Sequence, residues 1–186
     1  FESIRPEPEA GFRGAIERLK QAGAQIENIE IPEVNEALGL SGTLFATEAY
    51  AQCQDEIEAN PGAKFPEILN RFRSGKDTLA KDYLAAWREL EAYKAVWAGE
   101  TAGFDAVVLP TSPILPPNLG RLMTDSAYYV TENLLSLRNT RIGNLMGLAG
   151  LTLPTGVPST GIMFLSAPNS EERLLRLGVA AEAALS

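Results

Sequence analysis

The stretch Phe104-Asp105-Ala106-Val107-Val108-Leu109-Pro110-Thr111-Ser112-Pro113 decides how this chain is read. Ala106 to Leu109 is short and continuously apolar, the pattern of a strand buried on both faces. It follows the most regular helical pattern in the sequence, Asp77 to Ala102. There Leu79, Tyr83, Trp87, Leu90, Lys94 and Trp97 step by four, four, three, four and three, one stripe of a helix. Asp77 or Thr78 can cap its start, and Gly103 ends it. Pro110 to Pro117 is a proline-rich loop. A helix, a buried strand and a stiff loop in succession argue for an α/β fold.

The same alternation continues on both sides. Downstream, Asn133 to Leu148 reads as a helix, Leu151-Thr152-Leu153 as a second buried strand, and Gly161 to Ser166 as a third. Ser170 opens a last helix with Leu174, Leu175, Leu177, Val179, Ala180 and Leu185 as its apolar set. Upstream, Pro8 to Ala22 is a helix with Phe12, Ala15, Ile16 and Leu19 on one face and Gly23 as its stop. Ala24 to Ile31 reads as a strand ended by Pro32. Val34 to Asn60 is helical, with a break expected at Gly39 and Gly42. Phe65 to Arg73 is a short helix closed by Ser74-Gly75. We expect one partial domain over residues 1–186, a mixed sheet flanked by helices with some parallel pairing.

Composition removes several function classes. The chain has 186 residues, a net charge of -8 and no histidine. A Ser-His-Asp or Cys-His unit therefore cannot be built from it, and imidazole metal sites are excluded. One cysteine, Cys53, supplies neither a disulfide nor a zinc site. It lies between Gln52 and Gln54 with no cationic neighbour, as a small core residue would. The acidic balance disfavours nucleic acid. No apolar run approaches the about 18 residues of a membrane span. A reduced, cytoplasmic setting and no cofactor are expected. The sequence opens on Phe1-Glu2-Ser3 and its first methionine is Met123, so we expect a piece of something longer.

Two segments are candidates for chemistry. Thr111 and Ser112 sit in a loop leaving a buried strand, where open α/β sheets place ligands; the alternative is a stiff turn whose hydroxyls satisfy its own backbone. Thr140 and Asn144, four apart, share a helix face and either look into a pocket or make a satisfied polar contact at a helix junction. Lys94 reads as an aliphatic stem lying over Trp97 and Leu90.

Taken in order, these blocks resemble the C-terminal part of the amidase-signature family. Phe104 to Pro113 is similar to its strand and proline loop. Thr140, Asn144 and Gly147, followed by Leu151 to Gly156, resemble its next block, and Pro158 with Gly161 to Pro168 and Glu171 to Glu182 its closing strand and helix. Ala15 to Pro32 is similar to the unit that follows the family's catalytic core. The resemblance implies amide hydrolysis by a Ser, cis-Ser, Lys triad upstream of every residue present here, so no catalytic residue is carried over. It implies a pocket wall of Thr111, Ser112, Thr140 and Asn144 for a small-molecule amide, with the upstream half of the same polypeptide as partner and a homo-oligomer as a further expectation. Ala149 stands where the family often has Pro, and Val157 to Thr160 is short and lacks an Asp found in some members. A stand-alone amidase therefore fits better than a glutamine-type amidotransferase. The alternative is a catalytically inactive α/β binding or interaction module.

Overall fold

The computed structural model describes residues 3–186. Its elements are α1 (Pro6–Gln21), α2 (Glu33–Ala59), α3 (Pro66–Arg73), α4 (Ala80–Thr101), β1 (Val107–Pro110), α5 (Leu119–Thr124), α6 (Ser126–Ser136), α7 (Arg138–Met146), β2 (Ala149–Pro154), β3 (Gly161–Ser166) and α8 (Glu171–Leu185). The described chain divides into two compact units, residues 3–31 with 98–186, and residues 32–97.

The first unit is built on a three-stranded sheet of order β1-β3-β2. Both pairings are antiparallel, with Val108 opposite Phe164 and Phe164 opposite Leu151. The α/β class stands, but the expected parallel pairing does not occur among the described strands. β1 and β2 do run in the same direction; β3 lies between them and runs the other way. Alternating helices and strands thus fixed chain direction without fixing which strands are neighbours.

Side chains alternate across the pleat, so the register sorts the sheet into two faces. On one, Val108, Leu151, Phe164, Leu153 and Ile162 meet Phe12, Ala15 and Leu19 of α1 and Leu174, Ala181 and Leu185 of α8 in a single apolar cluster. The other carries Leu109, Gly150, Thr152, Met163 and Leu165. Gly143 of α7 comes so close there that a Cβ would lie 3.2 Å from Leu165 Cδ2. β3 is buried on both faces from Ile162 to Ser166, whereas Gly150, Thr152 and Pro154 of β2 are exposed.

Helix ends follow local chemistry. Pro6 and Pro8 occupy the first turn of α1, where a missing N–H costs no helical bond. Gly23, at φ 98°, closes α1: its N–H donates to the Lys20 carbonyl and that of Ala24 to Leu19. Ala24 to Ile31, expected as a strand, is irregular and mostly exposed. Its apolar spacing is adequate, but it has no strand partner among the described residues, and strand preference is chiefly a matter of such partners. The helix expected over Asn133 to Leu148 is two helices that meet at Leu137, and Gly147 in the left-handed region (φ 70°) ends the second.

The second unit is helical. α2 runs unbroken through Gly39 and Gly42. The cost of about 1 kcal/mol per glycine is offset by burying Ala37, Leu44, Ala46, Tyr50 and Ile57. The Tyr50 hydroxyl donates to Glu58, which also takes two bonds from Arg73 of α3. The Arg73 guanidinium holds the Glu58 carboxyl below the usual carboxylate range. On α4, Ala86 and Leu90 are buried, and the ring planes of Tyr83 and Trp87 meet edge to face at 80°. Leu79, expected in the buried stripe, is exposed and precedes the helix. The Lys94 ammonium bonds Glu91 and sits 5.2 Å from the Trp87 ring centroid.

Candidate functional site

The Pro110–Pro113 segment at the end of β1 is held from outside by two of its carbonyls and by one N–H. Two of its residues, Pro110 and Pro113, have no N–H to give. The Thr111 N–H donates to the Gly161 carbonyl at 2.9 Å and continues the β1–β3 ladder by one residue. Pro110's carbonyl accepts from the buried Asn139 side chain at 2.6 Å. Pro113's carbonyl accepts the Arg5 N–H at 2.9 Å. The Arg5 guanidinium in turn donates to Glu132 of α6, which is 2% exposed, and this bond pushes the Arg5 pKa up.

Thr111 faces the more open side of the sheet. Its hydroxyl donates to the hydroxyl of Thr152, a residue of β2, at 3.3 Å. The two threonines reach each other across β3 because the intervening residue is Gly161. A Cβ there would lie 2.7 Å from Thr111 Oγ1 and 2.9 Å from Thr152 Cγ2, so no other residue leaves room for the pair.

Ser112 is turned into its own loop. Its hydroxyl donates to the Ile114 carbonyl at 3.1 Å and accepts the Ile114 N–H at 3.3 Å, a local side-chain turn that caps the bend. The Thr140 hydroxyl donates back to Leu137 at 3.1 Å within the helical segment. Asn144 is exposed near the C-terminal end of α7. The α7 side chain that bonds the Pro110 carbonyl is Asn139, one position before Thr140.

Asn139, next to the candidate Thr140, was not among the candidates. Only half of its signal was local: a proline loop leaves carbonyls in need of donors and an amide side chain is such a donor, but Asn139 lies on α7, beyond α5 and α6. Thr152 was legible as the one hydroxyl inside an apolar strand. Arg5 and Glu132, 127 positions apart, gave no local signal. Glu132 reads in sequence like any helix-surface glutamate.

Chemically, the arrangement offers hydrogen-bonding hydroxyls and no proton acceptor beside them. Among the described residues, neither Thr111 nor Ser112 bonds to an ionisable side chain, and the chain has no histidine. A hollow lined by Leu84, Trp87, Arg88 and Glu91 lies along α4 in the second unit and gathers no such hydroxyl pair. No helix among the described residues is long and apolar enough to cross a membrane.

Comparison with known proteins agrees with this architecture. The chain is 29% identical over 189 residues to a 2-amino-5-chloromuconic acid deaminase of Comamonas testosteroni, covering 98% of this chain and 41% of that protein. It is 28% identical over 189 residues to an amidase of Pseudomonas putida, covering 99% and 41%. The chain thus spans about two fifths of the length of these relatives. An allophanate hydrolase structure from Kluyveromyces lactis superposes with a TM-score of 0.85 at 19% identity, over 97% of this chain and 30% of that one, a likeness of fold. The family model described as Amidase matches residues 1–175, and on that match this chain belongs to the amidase family.

Proposed function

We propose that the protein carrying this chain is an amidase that cleaves the C–N bond of a small carboxamide through an acyl-enzyme. The observation that carries this reading is the family match over residues 1–175. In the proposed reaction a serine oxygen attacks the carboxamide carbonyl. The C–N bond breaks, and the leaving nitrogen departs with a proton. Water then releases the acid and restores the serine. A Ser, cis-Ser, Lys triad on a segment N-terminal to this chain would supply nucleophile and base. Two facts support that division of labour: the chain spans 41% of its relatives' length, and its loop hydroxyls have no base beside them.

In this reading the present chain contributes pocket wall. Thr111 is the strongest candidate, paired with Thr152. Ser112 stiffens the loop, and Thr140 and Asn144 of α7 remain candidates for the same wall. The family match runs through both compact units without a break, which supports treating them as parts of one amidase domain. A cytoplasmic setting belongs to the same proposal and rests on the single unpaired Cys53.

The test is ammonia release from acetamide, benzamide and hexanamide by the intact protein and by the 186-residue chain side by side. Hydrolysis by the intact protein, with silence from the chain, is expected. Hydrolysis by the chain alone would place the nucleophile within residues 1–186 and overturn the proposed division. Silence in both would favour a binding module.

A further inference from the structure

Buried polar groups are few among the described residues, and two of them converge on the same loop. Glu132 is 2% exposed and is the one charged residue in the buried set; Asn139 is 6% exposed. They sit on consecutive helices, α6 and α7. Asn139 donates to the Pro110 carbonyl. Glu132 accepts from the Arg5 guanidinium, and the Arg5 N–H donates to the Pro113 carbonyl. Thr111 lies between the two carbonyls that are gripped.

From this convergence we propose that Glu132 and Asn139 are positioning residues, which lock the Pro110–Pro113 loop so that the Thr111 and Thr152 hydroxyls meet substrate in one fixed geometry. The inference rests on the amidase reading and adds two residues to it. A buried carboxylate is a poor way to gain stability, because an apolar side chain of similar volume commonly serves as well or better. Glu132 is also incompletely satisfied: Oε2 is buried without a hydrogen-bond partner. What the ion pair provides that a leucine could not is direction. Pinning the Arg5 side chain fixes the Arg5 backbone, and through it the Pro113 carbonyl. Asn139 fixes the other end. With the Thr111 N–H on Gly161, the backbone around Thr111 is held at three points.

The experiment uses the intact protein in four variants: Glu132→Leu, Glu132→Gln, Asn139→Leu and Leu174→Ala. Leu174 belongs to the α1–α8 cluster and lies outside the loop, so its variant reports the effect of general destabilisation. Kinetics are measured with whichever of acetamide, benzamide and hexanamide is turned over best. Glu132→Leu and Asn139→Leu are expected to raise KM about tenfold or more, the scale of loss for a misplaced binding group. Glu132→Gln keeps an oxygen for Arg5 and should recover much of that loss. Leu174→Ala should lower the melting temperature with KM unchanged. Equal KM in all four would overturn the proposal. Hydrogen exchange at the Arg5 and Thr111 amides gives a readout independent of turnover. Faster exchange confined to those amides in the two leucine variants supports the lock, and unchanged exchange overturns it. If no carboxamide is hydrolysed, the amidase reading has failed, and exchange alone decides this one.

Discussion

At the scale of the residue, the most informative pair is Thr111 and Thr152. Each has an isosteric partner in valine that removes the hydroxyl and keeps the methyl packing. If the pair binds substrate, Thr152→Val in the intact protein should raise KM for a carboxamide severalfold with little change in melting temperature, since Thr152 is exposed and the bond it shares is long at 3.3 Å. A loss of melting temperature with unchanged KM would make the pair structural. Arg18 is the contrasting case. Its guanidinium reaches the carbonyls of Leu185, at the end of α8, and of Thr155, just after β2. Charged donors of this kind are worth about 1.5–3 kcal/mol when buried, and Arg18 is only partly so. Arg18→Ala is therefore expected to cost about 1 kcal/mol, read as a lower urea midpoint.

Elements show where local rules decided the structure and where packing did. Gly75 is decided by packing: a Cβ would lie 2.1 Å from the Ala46 carbonyl oxygen and 2.4 Å from the Thr47 nitrogen. Both are helix backbone, which no rotamer change relieves. Gly75→Ala should destabilise the helical unit by about 2 kcal/mol or more, measurable by thermal melting followed by circular dichroism. Asp125 is decided locally. Its carboxylate accepts the Tyr128 N–H at the start of α6 and bonds Arg121, and the Tyr128 bond first, then Arg121, hold its pKa below the usual carboxylate range. A depressed folded pKa adds stability above the unfolded value of about 4, and that share is lost as pH falls through the folded pKa. Asp125→Asn keeps an oxygen for the cap and removes the titration. Its stability curve should be flatter than wild type in the acid range, and an unchanged curve would remove Asp125 from the acid response. The same contrast explains what the sequence made legible. The α1 stop at Gly23 and the buried runs of β1 and β3 were readable, because capping and apolar continuity are local. The order of the strands, the break at Leu137, the missing partner for Ala24 to Ile31 and the Arg5–Glu132 contact all depend on residues distant in sequence. Of the candidate site, Thr111 was visible in its loop, while Asn139 depended on knowing that α7 packs beside Pro110.

On the scale of the whole molecule, the described residues leave strand edges and apolar helix faces exposed. β1 and β2 are each the outer strand of a three-stranded sheet, and β2 exposes Gly150, Thr152 and Pro154. On α6, Val130 and Leu134 are each 43% exposed, and Leu137 follows at 44%, an apolar stripe at helical spacing. On α8, Leu175 and Val179 repeat the pattern at 60% and 71%. Unpaired strand edges and contiguous apolar surface both promote association between copies. The net charge of -8 opposes it, but only over distances of about 10 Å at moderate salt. The 186-residue chain by itself should therefore self-associate in proportion to its concentration, and more strongly as salt is raised. Light scattering across a concentration series reads this directly. The edge and the helix stripes can be separated. Thr152→Lys places a charge on the outer strand, the device by which natural sheets block edge pairing, whereas Leu134→Lys with Val130→Lys disrupts the α6 stripe. Recovery of a monomer by the first variant alone would assign association to β2, and by the second pair alone to α6. A wild-type chain that stays monomeric at high concentration and high salt would show that these surfaces do not drive association.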